Sequence, residues 1–333
     1  MSFMHISSRS AGIALGVALD AVFADPRRGH PVALFGRAAS AVEKRVYGDA
    51  RPNGVAQVAL CVGAAAGIGV LAERVRHPLV RTALTAAATW AVLGGTTLAR
   101  EGAYMADALE AKDLERARTR LPHLCGRDPS QLDAAGLARA TVESLAENTS
   151  DAVVAPLFWG AVAGVPGLLA YRAINTLDAM IGHRSARYER FGWAAARLDD
   201  VANLVPARLT GLITVAVGPD KAGAFAVLKK DGHRHPSPNA GRCEAAFAGA
   251  LGVRLGGTNV YGGRVEHRPV MGGGRAPEVG DIRRAVRLTR AVSLASAGLA
   301  VLAALRPLAA IRPLAAIRPG SRPGPAGVPM RPL

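Results

Sequence analysis

Residues 55–72, VAQVALCVGAAAGIGVLA, contain neither a charged side chain nor a proline. A run of that length has two homes: the centre of a large soluble core, or a bilayer, whose hydrocarbon layer takes about 20 apolar residues of helix. Repetition favours the bilayer. Residues 79–99, with Arg81 near the start, form a second block, and 152–171 a third with Pro156 and Pro166 inside it. Residues 201–218, carrying Arg208, are a fourth, and 291–305 a shorter fifth. Residues 11–24 are apolar apart from Asp20, and Arg9 is the one basic residue before them. That is a weak signal-peptide pattern and is read as a retained hydrophobic helix. The expected fold is therefore all-α: a polytopic integral membrane protein with about four to six hydrophobic helices and amphipathic helices beside the membrane. The abundant Ala and Gly suit close helix packing in lipid, although Ala-rich helices buried in a soluble protein would read the same way.

Half of the 333 residues are hydrophobic, yet the formal net charge is +16. Segregation reconciles the two. Basic residues concentrate in 24–54 and 219–290, whereas the connection after the first block holds only Arg74, Arg76 and Arg81. The positive-inside rule places the two basic regions in the cytoplasm, and the expected location is a multi-pass protein of the cell membrane. Membrane lipid is then a partner and nucleic acid is not, since no aromatic platform or zinc pattern accompanies the charge. Cys61, Cys125 and Cys243 lie too far apart in sequence for a disulfide scaffold. Residues 1–305 read as one membrane-embedded domain. The hexapeptide RPLAAI, twice from Arg306, opens a Pro-, Arg- and Gly-rich stretch, 306–333, that reads as a flexible tail.

Three polar blocks adjoin the apolar ones. In TVESLAENTSD (141–151), Glu143, Glu147 and Asp151 recur every four residues and share one helix face. Such a face either binds a cation or is solvated. Asn148 opens a formal glycosylation sequon, which carries little weight without a secretory context. The block 172–200 contains NTLD (Asn175 to Asp178), GHRSARYERFGW (with Arg184, Arg187, Tyr188 and Arg190) and RLDD (Arg197 to Asp200). Its carboxylates suit magnesium, which keeps several waters beside one or two protein oxygens. Its arginines are either a phosphate-binding cluster or a juxtamembrane basic loop. Asp199 and Asp200, being adjacent, point in different directions, so at most one shares a ligand with Arg197. The third block, KDGHRHPSPNAG (230–241), is a rigid polar loop in which His233 and His235 are ligand or base candidates. Gly256, Gly257, Gly262 and Gly263 serve either close approach to phosphate or plain turns. Walker A, G-x-G-x-x-G, H-E-x-x-H and G-x-S-x-G motifs are absent.

Four strings taken together resemble the CobD/CbiB family: DAVFADPRRGHPVALFGR (20–37), VESLAENTSDAVVAPLFW (142–159), YRAINTLDAMIGHRSARYERFGWAAARLDDVANLVPARLT (171–210) and DGHRHPSPNAG (231–241). The resemblance runs from about Leu15 to Leu305. It implies a membrane enzyme of cobalamin biosynthesis, an acid–amine ligase of the adenosylcobinamide-phosphate synthase type. Such an enzyme joins aminopropanol, free or as its phosphate, to the unamidated propionate of adenosylcobyric acid. ATP with magnesium is the expected source of activation, through a transient acyl phosphate. Within the matching strings the candidate catalytic residues are Glu143, Glu147, Asp199, Asp200 and His235. Asn148, Asn175, Arg184, Tyr188, Arg197, Ser237 and Asn239 are candidates for substrate binding, and Asp151 and Asp178 for metal. Other proteins of the cobalamin pathway are candidate partners. The alternative is a corrinoid transporter or a membrane scaffold for the pathway's enzymes.

One conflict follows. The blocks 141–151 and 172–200 flank the apolar block 152–171. If that block crosses the membrane, they lie on opposite sides. A single ATP-dependent site therefore predicts that 152–171 is re-entrant, broken by its two prolines.

Overall fold

The computed structural model describes residues 7–26, 29–183, 185–261 and 264–305. Arg184 and the 306–333 tail lie outside them. The chain opens with α1 (Ser8–Phe23), α2 (Pro31–Val46), α3 (Arg51–Glu73) and α4 (Pro78–Val92). Next come α5 (Gly95–Glu110), α6 (Leu114–Arg120), α7 (Ala134–Thr149) and α8 (Ala155–Leu177). The remaining helices are α9 (Trp193–Ala202), α10 (Leu204–Val217), α11 (Lys221–Asp231), α12 (Ala240–Leu251) and α13 (Val279–Leu305). One antiparallel ribbon, β1 (Leu255–Tyr261) with β2 (Arg264–Met271), departs from the all-α expectation. Gly256 and Gly257 fall within β1, whereas Gly262 and Gly263 lie outside the described residues.

Among the described residues three helical stretches are long and apolar enough to cross a membrane: Arg51–Glu73, Ala134–Gly182 and Val279–Leu305. The pair Trp193–Ala202 and Leu204–Val217, bent by 44°, makes a fourth if it is one span. This is an all-α membrane protein, with three to four candidate crossing stretches among the described residues against the expected four to six. α1 and α4, at 16 and 15 residues, fall short of the usual length of a crossing helix. They pack against each other instead. Gly12 and Gly16 sit so close to Thr85 and Thr89 that a methyl group at either glycine would collide, the small-residue contact that membrane helices use. Leu15, Leu60, Ile68, Leu71, Leu294 and Leu302 point outward from this layer, as a lipid-facing surface requires.

The ends of these helices define two sides. On one, Ser7 and Ser10 donate to Ala304 and Val301 carbonyls at the end of α13, and Arg9 pairs with Glu73 at the end of α3 (3.2 Å). Toward the other lies a lobe built from α5, α6, α7, α10, α11, α12 and the first half of α13. Met105, Leu121, Leu137, Leu145, Phe247 and Ile282 form its core. α2, α9 and the segment before α9 pack around the start of α3 through Val58, Leu177, Ile181 and Phe191.

The block 152–171 doubles back. A straight helix would put Asp151 and Asn175 about 36 Å apart, at 1.5 Å per residue. In the structure Asn175 Nδ2 lies 3.5 Å from Asp151 Oδ2. The reversal is at Gly164, whose φ of 66° and ψ of −148° are open essentially to glycine alone. Glu73 holds the tip, accepting from the Val165 N–H at 3.2 Å, while Arg9 reaches the Ala161 carbonyl at 3.4 Å. The re-entrant path is as expected, but its cause is only half so. Pro166 follows the break, whereas Pro156 sits where the π-helical turn Ser150–Val154 runs into α8 and the chain stays helical.

Candidate functional site

Asp151 and Asp178 both begin or adjoin π-helical turns, Ser150–Val154 and Asp178–Gly182, at the two feet of the re-entrant hairpin. Such turns carry one extra residue and re-aim side chains, which is why they recur at functional sites. Asn175 is the hub between the feet. Its amide nitrogen is 3.5 Å from both Asp151 Oδ2 and Asp199 Oδ1, and its oxygen accepts from Arg172 Nη1 at 3.4 Å. Asn203 fixes the other oxygen of Asp199 (3.0 Å) and accepts from the Tyr171 hydroxyl (2.9 Å), which also reaches the Asp151 carbonyl (3.3 Å).

These groups enclose a polar cavity of about 30 Å³ lined by Glu147, Asp151, Asp199, Ser237 and Asn239, among others. The Asn239 Oδ1 atom is buried without a hydrogen-bond partner. Buried carboxylates repel one another unless a cation or protons compensate them. Arg172 supplies one positive charge to Asp151. Among the described residues no three His, Cys, Asp or Glu side chains converge on one point. A cation here would therefore take one or two carboxylates and keep waters, which is the habit of magnesium. The carboxylate oxygens and the unsatisfied Asn239 amide oxygen fit that ion, while the buried Cys243 thiol that also lines the cavity does not add a hard donor.

Not every candidate joins this cluster. Glu143 is buried, not solvated: it pairs with buried Arg127 at 2.5 Å and accepts the Gly256 N–H at 2.7 Å, so it anchors β1. Asn148 turns away, donating to Ser144 and the Leu124 carbonyl. Asp199 and Asp200 do diverge. Asp200 pairs with exposed Arg197 at 3.4 Å, and its carbonyl accepts from Asn239 Nδ2 at 2.8 Å. Tyr188 donates to Glu43 beside Arg187, on the α2 side of the molecule.

His235 does not stand ready as a base. Its side chain is only 4% exposed, Nδ1 accepts the Ser237 N–H at 3.0 Å, and Nε2 faces Glu244 at 3.8 Å. Burial and the positive charge of Arg268 push its pKa down to about 4. It shapes the loop that presents Ser237 and Asn239. Ser237 in turn accepts from the Asn239 and Ala240 N–H groups at the start of α12.

Four residues outside the candidate set extend the cluster. Arg172 lies between Asp151 and Asp25, and its charge acts on both. Asp25 accepts from His30 Nε2 at 3.2 Å. Burial raises its pKa, but the hydrogen bonds of His30 and Thr97 and the charge of Arg172 carry it below the usual value. Asp20 accepts from both the N–H and the hydroxyl of Thr96, at 3.1 and 3.0 Å. The signal for them was present: a charge inside an apolar helix at Asp20, an Arg at the edge of the re-entrant block, and an Asp–His pair five residues apart.

Residues 13–289 match the family model described as CobD/Cbib protein. The chain is 56% identical over 286 residues to "Cobalamin biosynthesis protein CobD" of Mycobacterium tuberculosis (strain CDC 1551 / Oshkosh), covering 85% of this chain and 91% of that protein. It is 44% identical over 284 residues to the protein of the same name from Rhodobacter capsulatus, covering 83% and 90%. For the protein of that name in Geobacter metallireducens the figures are 43% over 278 residues, 80% and 87%. No solved structure matches the chain.

Proposed function

This chain belongs to the CobD/CbiB protein family, and on that premise we propose that it is the membrane enzyme of cobalamin biosynthesis that joins an amine to a corrinoid carboxylate. The substrates are adenosylcobyric acid and aminopropanol or its phosphate, and the product is the corresponding adenosylcobinamide. The observation that carries this reading is the closure of the re-entrant hairpin. It brings Asp151, Asn175 and Asp199, separated in sequence by an apolar block, into contact, and Asp151 and Asp199 line one polar cavity.

Amide formation from a free carboxylate needs activation. The propionate oxygen attacks the terminal phosphate of ATP and ADP leaves; the amine then attacks the acyl carbon and inorganic phosphate leaves. Asp151, and Asp178 at the other foot of the hairpin, would hold magnesium, which would supply the positive charge that such phosphoryl transfer needs. Glu147 and Asp199, both on the cavity wall, would accept the proton that the amine gives up. Asn175 and Asn203 hold the Asp199 carboxylate in orientation, and Ser237 and Asn239 close the opposite wall. Exposed Arg197, paired with Asp200 next to the cavity-lining Asp199 in sequence, would meet anionic substrate groups. The site belongs on the cytoplasmic face of the cell membrane, where ATP is available.

The test is an assay of detergent-purified protein with adenosylcobyric acid, aminopropanol phosphate, ATP and magnesium, the amide product being read by mass. Asp199→Asn and Glu147→Gln each reduce turnover at least ~100-fold, a loss in the range of removing general acid–base catalysis, while the protein stays monodisperse. Absence of product from the wild-type protein, with corrinoid binding intact, would overturn this reading in favour of a transporter or scaffold.

A further inference from the structure

Helix α2 joins the end of α1 to the start of α3, on the lobe side of the membrane layer. Its 16 residues, PVALFGRAASAVEKRV, divide by helical spacing into two faces. Phe35, Ala39 and Val42 pack toward α3, and Gln57 Nε2 donates to the Ala39 carbonyl at 2.9 Å. Arg37, Ser40, Lys44 and Arg45 surround an open hollow on the other face.

The one acid of the helix, Glu43, is buried and turned inward, where it accepts from Arg187 Nη2 at 2.9 Å and from the Tyr188 hydroxyl at 3.1 Å. The outer face is left cationic. Among the described residues, Arg37, Lys44 and Arg45 are exposed and make no ion pair or side-chain hydrogen bond. Lys44 and Arg45, in the last turn, suit the helix dipole, and two solvated cations would need no further reason. What lies beside them supplies one.

An apolar groove of about 520 Å³ runs between α2, α3, α4 and α8. Its volume is in the range of small-molecule sites. Small residues such as Ala38, Ala64, Ala65 and Ala91 leave the space, and Leu34, Leu60 and Ile68 line it while remaining exposed. Leu60 and Ile68 lie about 14 and 26 Å along α3 from its start, at 1.5 Å per residue, so the groove descends into the hydrocarbon. The one charged group on its wall, Arg172, already acts on Asp25 and Asp151. Leu34, Ala38 and Arg45 fall on one stripe of α2 at helical spacing, and Arg37 is one turn from Leu34. The cationic face therefore meets the groove along an edge.

We propose that α2 and this groove bind one anionic phospholipid, its headgroup phosphate on Arg37, Lys44 and Arg45 and an acyl chain along Leu34, Leu60 and Ile68. Charge complementarity selects the occupant. Anionic lipids of the cytoplasmic leaflet attract basic segments at the membrane surface, and an amphipathic helix with basic residues on its polar face is a form those segments take. A second copy of the chain docked through the same face would set these cations against their own kind. The site is independent of the reaction proposed above.

Native mass spectrometry of the full-length protein in detergent, titrated with phosphatidylglycerol or phosphatidylcholine, is the test. The wild-type protein retains one phosphatidylglycerol, preferring it to phosphatidylcholine by at least ~10-fold. Arg37→Gln/Lys44→Gln/Arg45→Gln weakens that binding at least ~10-fold. Arg74→Gln/Arg76→Gln, on the opposite side of the membrane layer, leaves it within about twofold. Arg37→Lys/Arg45→Lys keeps the charge and stays within about threefold of wild type, which separates lost charge from lost folding. Ala64→Leu fills the groove, leaves every cation in place and weakens binding at least ~3-fold. Equal retention of the two lipids overturns the proposal, as does a triple variant or an Ala64→Leu protein that binds like wild type. Equal weakening by the Arg74/Arg76 change overturns it too, since attraction would then follow net charge alone. A lipid-free dimer in the same spectra overturns it in favour of a second copy of the chain.

Discussion

His235 shows how burial decides the role of a residue whose type invites a catalytic one. In an unfolded chain its imidazole titrates near 6.5; folded, burial and then the charge of Arg268 lower it to about 4. Between these values the unfolded chain binds the extra proton, so stability falls as pH drops from about 6.5 to about 4. One such group contributes about 3 kcal/mol across the window. The expected result is that the thermal midpoint of the wild-type protein in detergent declines more steeply over this range than that of His235→Asn. Parallel curves would count against it. Glu244, facing His235, is held well above the usual carboxylate range by burial and by the negative charges of Glu143 and Glu147.

At the scale of the element, the re-entrant hairpin depends on one residue. Gly164 combines a positive φ with contact so close that a methyl group there would strike the Glu73 carboxylate. Backbone strain of this kind costs about 1–3 kcal/mol for any other residue, before the collision is counted. Gly164→Ala should therefore lower the thermal midpoint and loosen the hairpin feet, where Asp151 and Asn175 meet. Its turnover should fall more than that of Gly63→Ala, a glycine with open space around it. Equal effects of the two changes would show that the tip is not what holds the feet together.

For the whole molecule, the two sides defined by the helix ends make a topology prediction. Ser130 precedes α7 and Arg190 precedes α9, and both are exposed on the lobe side. In a variant freed of Cys61, Cys125 and Cys243, single cysteines at these positions should react with an impermeant thiol reagent from the same side of sealed vesicles. A cysteine replacing Arg76, beside the hairpin tip, should react from the other side. Opposite-side labelling at 130 and 190 would mean that the hairpin crosses the membrane and that no single site joins Asp151 to Asp199.

The membrane architecture was legible because lipid acts on local composition: a helix in hydrocarbon needs a run of apolar residues, and the runs can be read directly. The polar blocks were legible for the same reason, since charge beside such runs is costly and conspicuous. Even the doubling back of 152–171 followed from requiring its flanking blocks to meet. Side-chain partnership was not legible. Glu143 and Glu147 share a face and a spacing, yet one is neutralised by Arg127 and the Gly256 N–H while the other lines the cavity. Nothing within four residues of either distinguishes them. Asp20 and Asp25 meet α5 through contacts more than 70 residues distant in sequence, and the charge of Arg172 acts on Asp25 across a still longer separation. Composition determined where this chain can be placed. Tertiary structure decided which of its charges face one another, because that depends on packing between helices that share no local sequence.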